Sequence, residues 1–87
     1  MADSADAVPS VSFSSFVVSL ATSAMNHLGE GPGAKLDMPM ARHTVDLLGL
    51  LMEKTKGNLD DDEQKLLETV LYDVRMKFLE RSGEAPT

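Results

Sequence analysis

Between Phe13 and Phe78 the apolar residues return at intervals of three and four, and nowhere do they alternate singly as on a half-buried strand. The first run, Phe13, Phe16, Val17, Leu20, Ala24 and Leu28, draws one helical face, with Ser15, Ser19, Thr22, Ser23 and Asn26 opposite. Ser12 stands where an N-cap belongs, its hydroxyl able to accept an unpaired backbone N–H. Gly29 supplies the left-handed residue that commonly follows a helix. A helix is therefore predicted from about Phe13 to Leu28, followed by a flexible connection, "GEGPGAK", over residues 29–35.

The second run opens with Asp37 as N-cap and has Met38 and Pro39 in its first turn, where the missing proline N–H costs nothing. It is predicted to end at about Lys56. Val45, Leu47, Leu48, Leu50, Leu51 and Met52 occupy more than one of its faces around the small Gly49, and a helix apolar on several sides must be covered on several sides. The third run begins at Asp60, with Glu63 three residues on in a variant of the capping box. Asp61 and Asp62 fall in its first turn, where the helix dipole favours negative charge. Leu66, Leu67, Val70, Leu71, Val74 and Phe78 make its buried stripe, and Lys65, Glu68, Asp73, Lys77 and Glu80 its solvated side. Lys77 and Arg81 lie near its end, where positive charge is favoured.

These runs predict an all-α fold of three helices, the second and third forming an antiparallel hairpin and the first packed across it. The small, polar, proline-punctuated ends read as disordered tails, residues 1–11 and 82–87, around a single helical domain at 12–81. At 87 residues the chain makes one domain with a small core. It has no cysteine, so neither a disulfide nor a thiolate metal site can hold it together, and helix packing or self-association must.

Charge narrows the function. Fourteen acidic residues against eight basic give a net charge of −6, which repels polyphosphates and disfavours nucleic acid as a partner. The opening "MADSADAVPS" has no basic residue and does not read as a signal peptide. Phe13 to Leu28 is 16 residues long, short of the roughly 20 apolar residues needed to span a bilayer. A cytoplasmic protein without membrane partners is expected.

The stretch richest in candidate chemistry is "EKTKGNLDDDEQ", residues 53–64. A phosphate cradle needs a glycine-rich loop between a strand and a helix; here the loop follows a helix, has one glycine and leads into four acids. Helix termination explains it better, with Gly57 at C′ and Lys54 and Lys56 against the carbonyl end. A calcium loop started at Asn58 places Asn58, Asp60 and Asp62 correctly but has Glu63 where glycine belongs and Thr69 where glutamate belongs. A weak divalent site at Asp60–Asp62 is the lesser reading. His27 and His43 have no second histidine at ligand spacing, and Arg42 with Asp46 reads as an i,i+4 ion pair. The serines crowd the first helix and the N-terminal end without the strand–turn–helix elbow that exposes a nucleophile.

No catalytic residue, cofactor or metal ligand is therefore expected. The expected function is a non-enzymatic interaction or structural module that works through helix packing and self-association with its own copies or another protein. The candidate surface is Arg42, Asp46, Gly49, Lys54, Lys56, Gly57, Asn58 and Arg75. The alternative is a regulator binding a small ligand or anion through Arg42, Lys54, Lys56 and Arg75. A third reading is peripheral membrane contact through Phe13, Phe16, Val17 and Leu20, whose helix lacks the basic polar face that attracts anionic lipid.

Residues 41–80 resemble a family of small bacterial proteins catalogued as domain of unknown function 1844. The resemblance is carried by Asp46-Leu47-Leu48-Gly49-Leu50-Leu51, by Glu53-Lys54-Thr55-Lys56-Gly57-Asn58-Leu59 and by Leu71-Tyr72-Asp73-Val74-Arg75-Met76. The upstream "SLATSAMNHLG" is also similar to the family's. The resemblance implies an all-α fold and a bacterial cytosolic origin, and brings no activity, ligand or catalytic residue.

Overall fold

The computed structural model describes residues 11–83, so the expected tails at 1–11 and 82–87 lie outside the described residues except for Val11, Ser82 and Gly83. Among the described residues there are three helices, α1 (Phe13–His27), α2 (Met38–Lys54) and α3 (Asp61–Ser82), and each packs on both others. Among the described residues there is no strand, and the Leu28–Leu36 pairing is an isolated bridge.

The helix starts follow from their caps. Ser12 Oγ accepts from the Ser15 N–H at 3.0 Å, and Ser15 Oγ accepts from the Ser12 N–H at 3.2 Å, closing a capping box on α1. Asp37 Oδ1 accepts from the Met40 N–H at 3.2 Å to open α2. Asp60 and Glu63 close the box on α3, with bonds of 2.8 and 3.0 Å to each other's backbone N–H. Two of the four orphan donors are thereby satisfied at each boxed end.

Helix α1 ends in a Schellman motif: Gly29 at C′ has φ +81°, the Gly29 N–H donates to Asn26 O at 3.1 Å, and the Glu30 N–H donates to Met25 O at 2.9 Å. The connection that follows, expected to be flexible, is tied together at its two ends. The Leu28–Leu36 bridge and a 2.6 Å bond from the Asp37 N–H to His27 O close it at its base. Helix α2 ends two residues earlier than expected. Thr55 is its C-cap, its Oγ1 donating to Leu51 O at 2.8 Å, so Gly57 falls at C″ rather than C′. Gly57, at φ +85°, is the third residue of a turn closed by the Asn58 N–H on Thr55 O at 2.9 Å. A positive φ at that position is what selects glycine.

The core draws evenly on the three runs. Val17, Ala24 and Leu28 meet Ala41, Val45 and Leu48 of α2 and Leu67, Leu71 and Val74 of α3. Each large member contributes about 1.5–3 kcal/mol by leaving water. Thr44 is buried among them, and its hydroxyl donates to Met40 O at 3.0 Å, so its burial leaves no unpaired hydroxyl. Three large residues of the apolar runs are left uncovered by the neighbouring helices: Phe16 is 51% exposed, Leu50 52% and Leu47 37%. Two neighbouring helices can cover only the side of α2 that carries Ala41, Val45 and Leu48, and the opposite apolar side is left in solvent.

Candidate interaction surface

Leu50 forms a ridge between two grooves. On one side, between α1 and α2, a groove of about 200 Å³ is lined by Phe16, Leu20, Leu47, Leu50, Leu51 and Lys54. On the other, between α2 and α3, one of about 380 Å³ is lined by apolar residues together with Asp46, Gly49, Glu53 and Arg75. The first offers apolar surface with a single ammonium group; the second mixes two carboxylates with one guanidinium. The strip between them follows helical spacing, since His43, Leu47, Leu50 and Lys54 recur at four, three and four residues and all are exposed.

The structure gathers some of the sequence-derived candidates and separates others. Asp46, Gly49 and Arg75 come together in the second groove, and Lys54 lines the first. Arg42, Lys56 and Asn58 are exposed and line neither groove, and Gly57 serves the turn. The four basic residues of the anion-binding reading are therefore not gathered into one groove. Arg42 and Asp46, spaced for an ion pair, are both exposed and form none within 4.0 Å; an exposed pair of this kind adds little when it does form. Gly49 does not bring α2 and α3 unusually close, since a Cβ placed on it would lie 3.9 Å from Arg75 Nη2, an ordinary contact.

Two further readings are narrowed. Val17 is fully buried and Phe13 and Leu20 partly so, which leaves Phe16 alone of the proposed membrane-contact residues well exposed. No helix among the described residues is long and apolar enough to cross a membrane. In the acidic corner, the carboxylates of Asp60 and Glu63 are each engaged by a backbone N–H, and no group of three or more His, Asp or Glu among the described residues could hold a metal ion.

One polar constellation was not legible in advance. Glu30, in the connection after α1, accepts a hydrogen bond from Arg81 Nη2 and lies 3.9 Å from Lys77 Nζ. Lys77 also reaches Glu80 at 3.2 Å. The Arg81 hydrogen bond, aided by the charges of Lys77 and Arg81 and opposed by partial desolvation, holds the Glu30 carboxyl below the usual glutamate range. Lys77 and Arg81 are one turn apart, and that spacing was the available signal, but it does not identify a partner 51 residues away from Arg81 in a connection.

A family model described as a domain of unknown function (DUF1844) matches residues 10–80. No curated protein and no solved structure matches the chain.

Proposed function

The chain belongs to the family described as Domain of unknown function (DUF1844), whose match takes in all of α1 and α2 and most of α3, and on that footing we propose that it is a small cytoplasmic interaction module. It acts without catalysis, by docking the uncovered side of α2 against another helix. The observation that carries the reading is the adjacency of half-exposed Phe16, Leu47 and Leu50 along one groove whose other lining residues are Leu20, Leu51 and Lys54. An amphipathic partner helix laid into such a groove gains about 25 cal/mol for each Å² of apolar surface it hides.

The test is site-specific photo-crosslinking in the source cell. A photoreactive residue in place of Leu50 is expected to give a discrete adduct that is lost when Leu47 is changed to Asp, while one in place of exposed Asp73 on α3 gives none. No adduct from position 50 overturns the reading.

A further inference from the structure

The exposed side of α2, the strip together with Asp46 beside it, is not uniform in charge. Asp46 lies four residues before Leu50 and Lys54 four residues after it, so the two charges stand about 6 Å along the helix axis on either side of the ridge. Neither forms an ion pair among the described residues. A second α2 laid parallel on this strip would set Asp46 against Asp46 and Lys54 against Lys54. Laid antiparallel about a two-fold axis at Leu50, it sets each Asp46 against Lys54 of the second copy, twice over, with Leu50 meeting Leu50 at the axis.

We propose that the partner of this surface is a second copy of the chain, joined in an isologous antiparallel α2–α2 dimer with reciprocal Asp46–Lys54 pairs. This rests on the interaction reading above and names its occupant. Shape allows the approach: Leu50 is the crest between the two grooves, so the two Leu50 side chains are the first apolar surfaces to meet at the axis. Phe16 and Leu47 widen the apolar centre on the α1 flank of each copy. The net charge of −6 repels a second copy only at range. At physiological salt that repulsion is screened beyond about 8 Å, whereas apolar contact at the strip is not.

Sedimentation velocity of the purified full chain over a dilution series tests this. The wild type is expected to dimerise reversibly. Asp46→Lys alone and Lys54→Glu alone each replace two attractive contacts by two repulsive ones and are expected to raise the dimer Kd by roughly ten- to thirtyfold. An equimolar mixture of the two variants restores both pairs across the axis. In the mixed dimer the lysine introduced at position 46 of one copy faces the glutamate introduced at position 54 of the other, and the unchanged Asp46 and Lys54 face each other. The mixture is expected to return to near the wild-type Kd. Both positions are exposed, so circular dichroism should show unchanged helix content. A wild type that stays monomeric at the highest concentration overturns the proposal, as does a dimer indifferent to either reversal or a mixture that fails to recover. A monomeric wild type whose Leu50 crosslinker still captures another protein in the cell overturns self-pairing and leaves the interaction reading standing. Without that adduct, both fall.

Discussion

Glu30 joins two parts of the chain that sequence distance keeps apart, and its chemistry makes the joint sensitive to acid. The folded carboxyl binds its proton less tightly than the unfolded one, chiefly because Arg81 hydrogen-bonds to the ionised form. Its contribution is thus fully present above the ordinary glutamate pKa and is lost as pH falls through the depressed folded value. Replacing Glu30 by Gln should lower Tm at neutral pH, and the gap from wild type should close on acidification. A gap of constant size across a pH series of thermal melts would show that the carboxylate is not what matters. Gly57 acts through backbone alone. Its φ is +85° and a Cβ there would meet nothing within 4 Å, so Gly57→Ala should cost about 1–2 kcal/mol of left-handed strain. Asn58→Ala beside it should stay within about 0.5 kcal/mol, with urea titration reading both.

At the scale of the element, the helices and their starts were readable because local chemistry sets them. Ser12, Asp37 and Asp60 each cap the helix that their position in the sequence implies, and each needs only residues three away to do so. What covers a helix is not local. Phe16 and Leu50 obey the apolar spacing as well as Val17 and Leu48 do, yet the first two face water and the last two are fully buried. The periodicity says which residues share a face, and only the placement of the neighbouring helices says which face is used. The same applies to Gly49, which the fold does not require. Its φ is not positive and the site has room for a methyl group. Gly49→Ala should therefore stabilise the isolated chain by about 0.5–1 kcal/mol through helix propensity. Because Gly49 also lines the groove beside Leu50, the same substitution should weaken dimerisation severalfold. Opposite signs in a urea titration below the dimer Kd and in sedimentation are expected, and equal signs would separate Gly49 from the interface.

At the largest scale, the core of nine buried residues among the described residues sets the margin. A domain of this size has about 5–15 kcal/mol in hand, and Leu48→Ala, at a fully buried position where all three helices meet, should remove about 2–5 kcal/mol of that. Loss of cooperative melting at physiological temperature is the expected readout; a variant that melts like the wild type would mean the core relaxes around the missing side chain. Dimerisation through α2 would add stability by mass action, so Tm should rise with chain concentration in the wild type, and in Lys54→Glu the same rise should need roughly ten- to thirtyfold more chain.

The clasp at Glu30 also bears on how the molecule comes apart. Lys77 and Arg81 hold the end of α3, and Glu30 holds the connection whose base is closed by Leu28 and Leu36, so one carboxylate fastens both segments. Segments that share a fastening open together as one local unit rather than fraying separately. In hydrogen exchange, the backbone amides of residues 29–37 and those of the final turn of α3 should then trade protons with solvent at a common rate, faster than the core of either α1 or α3. With glutamine at position 30 that shared rate should split in two.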